Sequence, residues 1–168
     1  MTVILDDIRS LKNSMQRGRR LLGLDVGSKT IGLALSDVSL LVATPHSLIR
    51  RTKFAKDGAA IGAVVREQDV GGVVIGLPVG MDGREGPACQ SVRAFASNLA
   101  GALATQGLAH VVIGFWDERL STAAVERMLV SEADLSRARR KEVVDKIAAA
   151  YILQGALDAL RSGPPQSS

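Results

Sequence analysis

Three acidic residues stand at positions where an apolar residue or a plain helix cap would be easier to accommodate. Asp25 lies inside an apolar stretch, Glu118 follows another, and Asp145 shares a helical face with small apolar residues at i+3, i+4, i+7 and i+11. A buried carboxylate needs a cation, hydrogen-bond donors or a metal beside it. If folding brings these acids together, their oxygen ligands select Mg²⁺ or Mn²⁺, and such a site can support phosphodiester cleavage.

The same acids have structural interpretations in which neighbouring groups of the chain neutralise each of them. The partners would be Lys141 for Asp145, Arg119 or Lys29 for Glu118, and backbone N–H groups of the adjacent turn for Asp25. Ion pairs of this kind are common in folded proteins, so residue spacing by itself leaves both interpretations open.

Apolar runs separated by turn residues predict the strands that would carry two of these acids. Residues 21–37 predict a hairpin with its turn at 27–29, and residues 38–48 predict an extended segment in which Pro45 excludes a helix interior. Residues 70–78 and 110–116 predict buried strands, the first followed by a loop rich in glycine and proline.

Apolar residues at helical spacing predict the elements between and around these strands. The predicted helices cover residues 3–15, the stripe at 61–65, residues 92–103 with Pro87 near the first turn, a segment capped by Ser121 or Thr122 that carries Val125, Met128 and Leu129, and residues 139–161. Strands that alternate with helices are usually parallel, so we expect an α/β fold with a mixed sheet, antiparallel first strands, and helices on both faces.

Composition is consistent with one domain in a reducing compartment. The 168 residues suit a single core, which is aliphatic because 46% of residues are hydrophobic and only 3% aromatic. The net charge of +4 permits a polyanionic partner, and the single cysteine, Cys89, excludes an internal disulfide. No apolar run is long enough for a membrane span, so we expect no membrane partner and a cytoplasmic location.

Four motifs, in this order along the chain, resemble the YqgF family of bacterial ribonuclease H-like proteins. They are residues 25–34, Gly76-Leu77-Pro78 with Met81-Asp82-Gly83, residues 117–122 and residues 141–149. Members of this family are assigned to the processing of pre-16S ribosomal RNA and are related to Holliday-junction resolvases. The resemblance covers about residues 20–161. One departure is Gly80, where the family often has asparagine.

The resemblance implies a ribonuclease H-like fold and a metal-dependent nuclease site at Asp25, Glu118 and Asp145, with Mg²⁺ or Mn²⁺ as cofactor. Asp25 and Asp145 would hold the metals, and Glu118 would bind metal or orient the attacking water. Candidate phosphate contacts are Lys29, Arg119 and, in the loop before a helix N-terminus, Arg84. For Lys29 and Arg119, a structural salt bridge is an equal alternative.

The implied organisation is an N-terminal extension over residues 1–20, a nuclease domain over 21–161 and a disordered tail over 162–168, as a monomer or homodimer. The leading functional hypothesis is an endonuclease that processes the 5′ end of precursor 16S rRNA. A Holliday-junction resolvase would use the same chemistry. A non-catalytic RNA-binding factor in ribosome maturation or transcription would instead depend on the basic cluster formed by Arg50, Arg51, Lys53 and Lys56.

The hairpin suggests a third functional class, an ATP-binding protein. Asp-x-Gly before a second strand also resembles the phosphate hairpin of actin-like ATPases. That architecture needs two lobes and a second phosphate loop. A chain of this length argues against it.

Overall fold

The computed structural model describes residues 2–120 and 137–162. The strands in these ranges are β1 Ile4–Leu5, β2 Arg20–Val26, β3 Thr30–Ser36, β4 Ala43–Arg50, β5 Val70–Leu77 and β6 Val112–Asp117. The helices are α1 Ile8–Ser14, α2 Phe54–Glu67, α3 Pro87–Thr105 and α4 Arg137–Ser162, with a short 3₁₀ turn at Glu118–Leu120.

The strands form one mixed sheet in the order β1-β6-β5-β2-β3-β4. Strands β2, β3 and β4 pair antiparallel, whereas β5 pairs parallel with β2 and with β6, and β1 pairs parallel with β6. Each parallel pair needs a crossover, and α3 supplies the one between β5 and β6. The sheet confirms the predicted α/β class with antiparallel first strands and parallel strand–helix units.

Two apolar layers sandwich the sheet, as predicted for helices on both faces. One layer contains the buried residues of α2 and α3, and the other contains those of α1 and α4. Leu22 and Leu24 of β2 belong to the α2/α3 layer, and Leu21 belongs to the α1/α4 layer. Because side chains alternate along a strand, Asp25 faces the side on which α4 lies.

The N-terminal segment differs from the predicted helix over residues 3–15. Ile4 and Leu5 form a strand beside β6, with Ile4 level with Ile113. The helix begins only at Ile8, where the Asp7 carboxylate accepts a hydrogen bond from the Arg9 amide at 3.0 Å. The unpaired edge of β6 offers backbone partners that a sequence pattern cannot reveal. The boundary at residue 20 stays a prediction, although β1 belongs to the sheet.

The segment predicted to be extended over residues 38–48 is a strand only from Ala43 onward. Before it, the Asp37 carboxylate accepts hydrogen bonds from the amides of Leu41 at 2.7 Å and Val42 at 3.0 Å, which fixes a turn. Pro45 lies within β4, which is an edge strand and therefore tolerates a residue without an amide donor.

The remaining predicted helices over the described ranges are confirmed as α2, α3 and α4. The predicted helix with Val125, Met128 and Leu129, its caps Ser121 and Thr122, and most of the tail at 162–168 lie outside the described residues. In the part of the chain that the structure covers, no helix is long and apolar enough to cross a membrane.

Candidate active site

Asp25 is a buried carboxylate near the C-terminal end of a central strand. The residue is only 9% exposed to solvent. Gly32 of β3 stands directly opposite Asp25, and Leu24 is level with Ile75 of β5, so Gly76 follows beside Asp25 on the other neighbouring strand. Glycines therefore stand beside Asp25 on both neighbouring strands, and a glycine inside a strand often marks a close approach by another group.

Glu118 folds back over β5 after the end of β6. A Cβ atom built on Gly76 would lie 2.8 Å from Oε1 and 3.2 Å from Cγ of Glu118. It would also lie 2.5 Å from Cδ1 of Ile152, a residue of α4. Glu118 and Ile152 therefore occupy the space above Gly76, on the face that Asp25 shares. The structure brings Asp25 and Glu118 to the same end and the same face of the sheet.

Helix α4 lies in close contact with the strand that carries Asp25. A Cβ atom built on Gly23 would stand 2.7 Å from Cβ of Leu153 and 3.1 Å from the carbonyl oxygen of Ala149. Farther along α4, the Gln154 side chain accepts from the Ala43 amide at 2.9 Å, at the opposite end of β3 from the hairpin turn. The helix backbone preceding Ala149 therefore extends toward the Asp25 end of the sheet.

The backbone of Asp145 is one helical turn before Ala149 in α4, as the sequence predicted. Its side chain lies outside the part of the structure that is described. The convergence of Asp145 with the other two acids stays a prediction. Among the described side chains, no group of three histidine, cysteine, aspartate or glutamate residues could hold a metal ion.

Arg119 forms a forked ion pair with Asp117. The Arg119 Nε atom lies 3.1 and 3.0 Å from the two carboxylate oxygens, and its terminal nitrogen donates to Oδ2 at 2.6 Å. The backbone amide of Arg119 also donates to Asp117. These bonds from Arg119 lower the pKa of the Asp117 carboxyl. The salt-bridge alternative for Arg119 is thus observed, with Asp117 as the partner, and its contact with phosphate stays a prediction.

The loop after β5 is a tight turn that exposes Arg84. The Gly83 amide donates to the Gly80 carbonyl at 2.9 Å, and Gly83 has φ +82°, a conformation that glycine favours. The Asp82 carboxylate accepts from the Arg84 amide at 3.0 Å. A Cβ atom at Gly80 would lie 2.8 Å from Oδ1 of Asp82, so this turn suits a glycine at position 80.

The two other predicted phosphate contacts are exposed at the same edge of the sheet. The Arg84 side chain is 89% exposed, and its Nε atom is 4.0 Å from the Asp82 carboxylate. Lys29 is exposed in the turn between β2 and β3. A Cβ atom on Gly83 would lie 3.7 Å from the Arg119 guanidinium, so the loop and Arg119 are neighbours. Their roles with a substrate stay predictions.

An arginine that the sequence interpretation missed fastens this loop to the body of the protein. Arg93 donates to both oxygens of Glu85 at 2.7 and 3.0 Å and to Asp6 at 3.1 Å, while its guanidinium lies 4.8 Å from the centre of the Phe115 ring. The hydrogen bond from Arg93 lowers the pKa of the Glu85 carboxyl. Asp6 is far away in sequence, so no local pattern could have revealed the cluster.

The donor chemistry of the described acids fits a hard divalent cation. Asp25 and Glu118 offer only oxygen ligands, which Mg²⁺ and Mn²⁺ prefer. The missing side chain at Gly76 allows Glu118 to lie over β5, beside the strand that carries Asp25. That Asp25, Glu118 and Asp145 together form a metal site stays a prediction.

Comparisons with known proteins identify relatives across most of the chain. The family model described as "RuvX: Holliday junction resolvase" matches residues 19–159. A "Putative pre-16S rRNA nuclease" of Paramagnetospirillum magneticum is 65% identical over 150 residues, covering 89% of this chain and 92% of the relative. A protein of the same name from Rhodospirillum centenum is 56% identical over 157 residues, covering 94% and 82%.

Among solved structures, T. thermophilus RuvC in complex with a Holliday junction substrate matches with a TM-score of 0.55 at 15% identity, covering 86% of this chain and 96% of that chain. At this level of identity the likeness concerns the fold alone. The comparisons confirm the fold class and the family resemblance drawn from the four motifs.

Proposed function

Because this chain belongs to the RuvX family of nuclease-like proteins, we propose that it is a divalent-metal-dependent endonuclease that processes the 5′ end of precursor 16S rRNA in the cytoplasm. One observation carries the proposal: neighbouring strand ends place Asp25 and Glu118 on one face of the sheet, with Glu118 over Gly76 and Asp25 on the adjacent strand. The name shared by relatives at 56–65% identity supports RNA as the substrate.

Asp25, Glu118 and Asp145 would hold Mg²⁺ or Mn²⁺ in this proposal. A bound divalent ion lowers the pKa of water and neutralises charge that develops on the phosphate during hydrolysis. Asp25 is buried, and Gly32 stands opposite it on β3. Arg84 and Lys29, exposed at the same edge, would bind phosphates of the substrate and position its strand.

A Holliday-junction resolvase is a second candidate function. The description of the matching family model names that activity, and the fold resembles that of RuvC. Both candidates use the same acids and the same reaction, so the substrate decides between them. The outcome depends on whether the enzyme prefers precursor RNA or four-way DNA.

The test is cleavage of a labelled precursor 16S rRNA fragment and of a four-way DNA junction, side by side, in Mg²⁺, in Mn²⁺ and with a chelator. The proteins are wild type, Asp25→Asn, and Asp37→Asn as a matched control. Asp37 fixes the turn before β4, at the opposite end of β3 from the hairpin. We expect wild type and Asp37→Asn to cut the RNA with metal, and Asp25→Asn to lose at least about a hundredfold in rate.

Preferential cleavage of the DNA junction would favour the resolvase. If wild type cuts neither substrate while it still binds RNA, the nuclease proposal fails. The chain would then be better explained as an RNA-binding factor. Equal cleavage rates for wild type and Asp25→Asn would contradict a catalytic role for Asp25 and its predicted metal site.

A further inference from the structure

A cavity of about 630 Å³ opens beside the hairpin turn that follows Asp25. Its walls come from the β2–β3 turn, the β4–α2 connection and the first turns of α3. The polar side chains in its lining are those of Ser28, Arg51, Thr52 and Ser91. The volume falls within the range of small-molecule binding sites, and its lining is cationic and rich in hydroxyl groups.

Arg51 is held by three contacts at the wall of this cavity. Its backbone amide donates to the Lys29 carbonyl at 2.8 Å, and its terminal nitrogen donates to the Gly27 carbonyl at 2.7 Å. Its guanidinium also lies 5.4 Å from the centre of the Phe95 ring. These contacts orient the guanidinium and use one of its five N–H donors, so the other donors can face a ligand. In the described parts of the chain, no salt bridge joins Arg51 to a carboxylate.

The segment that carries Arg51 is anchored by a buried acid. Asp57, 3% exposed, accepts from the Thr52 amide through both carboxylate oxygens at 3.1 Å and from the Thr52 hydroxyl at 3.0 Å. Asp57 is therefore satisfied within the fold and stabilises the connection between β4 and α2. Because the cation beside Thr52 is already ordered, ligand binding would not have to immobilise it.

We propose that this cavity binds a phosphate group of the substrate strand, at the same end of the sheet as Asp25. The Arg51 guanidinium supplies the charge, and Ser28 and Ser91 supply hydroxyl donors. Only Val26 separates Asp25 from Gly27 in the chain, and the cavity lies toward α3 while Asp25 faces α4, so a strand that crosses this end of the sheet would reach both positions. The inference rests on the proposed nuclease function and assigns a substrate contact to Arg51, the one residue of the basic cluster that lines the cavity.

The first test measures how RNA affinity depends on salt. A short, labelled single-stranded RNA is bound to Asp25→Asn protein, which does not cut it, at several KCl concentrations. Each phosphate contact in single-stranded nucleic acid adds about 0.7 to the slope of log K against log salt. We expect Arg51→Gln to lower the slope by about 0.7, and Arg51→Lys to retain the slope with weaker binding.

Lys56→Gln is the matched control, because Lys56 is exposed in the same basic cluster and does not line the cavity. An equal loss of slope in Lys56→Gln and Arg51→Gln would overturn the assignment. Urea unfolding of both variants shows whether the lost contact with Phe95 has altered the fold. The pocket proposal would also be overturned if the Asp25→Asn protein failed to bind RNA.

The second test fills the cavity without changing charge. Ser91→Leu places a bulky side chain in the cavity, and Ser97→Leu makes the same change on an exposed position of α3 outside it. We expect Ser91→Leu to weaken RNA binding about fivefold or more and Ser97→Leu to have little effect. Equal binding by the two variants would contradict the proposal.

Two outcomes separate this inference from the nuclease proposal and from a free-anion site. If Ser91→Leu and Arg51→Gln lose RNA binding while the wild type cuts no substrate, the phosphate-pocket proposal stands and the nuclease proposal fails. If both variants cut the substrate at the wild-type rate, the nuclease proposal stands and the phosphate-pocket proposal fails. Titration with inorganic phosphate should show binding far weaker than that of the RNA, and comparable affinity would identify a site for the free anion instead.

Discussion

The carboxylate of Glu118 lies directly over Gly76, with Oε1 only 2.8 Å from the position that a Cβ atom on Gly76 would take. The same position is 2.5 Å from Cδ1 of Ile152. A glycine inside a strand usually marks a close approach by another group, and here the approaching group is a predicted catalytic acid. The absence of a side chain at position 76 is therefore part of the candidate site.

Replacement of Gly76 by alanine should displace Glu118, Ile152 or both, because the new methyl group would occupy their space. We expect a loss of about 1–3 kcal/mol in the free energy of unfolding and a fall in nuclease rate. Urea denaturation and cleavage assays measure the two effects. The matched control is Gly101→Ala in α3, where a Cβ atom meets nothing within 4 Å. That variant should gain about 0.5–1 kcal/mol and keep its activity.

Divalent metal should stabilise the folded protein if Asp25 is a ligand. A metal concentration of about 100 times the dissociation constant adds about 2.7 kcal/mol to stability, which corresponds to a Tm rise of roughly 5–10 °C for a chain of this size. Asp25→Asn should abolish most of this rise. Thermal melts in Mg²⁺, in Mn²⁺ and with a chelator provide the measurement. An undiminished rise in the variant would show that the metal binds elsewhere.

The Glu85–Arg93 pair should contribute an acid-sensitive part of stability. Arg93 lowers the pKa of Glu85 in the folded state, so the contribution is present above the ordinary carboxyl pKa and is lost as pH falls through the lower folded value. The stability gap between wild type and Glu85→Gln should therefore narrow as the solution is acidified below about pH 4.5. Urea unfolding over a pH series tests this, and a gap that widens in acid would contradict it.

Cys89 should resist alkylation in the native protein. Its side chain is fully buried at the start of α3, and burial is the main cause of its raised thiol pKa. We expect a thiol reagent to react at least about tenfold more slowly in buffer than in urea. Rapid modification under native conditions would mean that the first turn of α3 opens readily.

Strand pattern and helical spacing were enough to predict most of the fold. The hairpin, the buried strand at 70–77, α3 and α4 each combine continuous or periodic apolar residues with clear turn signals, so local sequence and tertiary packing favour the same structure. The prediction was wrong at residues 4–5, where pairing with the edge of β6 replaces the helix. Only the assembled sheet creates that edge.

The candidate site was likewise predictable from the sequence only in part. Asp25 and Glu118 could be selected from the sequence because an acid within or directly after an apolar strand is unusual, and the family motifs support both. Their proximity over Gly76, the pairing of Arg119 with Asp117, and the placement of Arg51 by Gly27 and Phe95 come only from the tertiary structure. The function of Asp57 was missed because a charged residue in a basic segment resembles an ordinary exposed one.

From Arg20 onward, the sequence by itself determined the order of the described strands and helices, the aliphatic core and the family to which the chain belongs, because each of these depends on local pattern or on motifs. The tertiary structure decided which side chains meet, since residues as distant as Asp6 and Arg93, or Gly76 and Glu118, come together only when parallel strands and their crossovers set the register of the sheet.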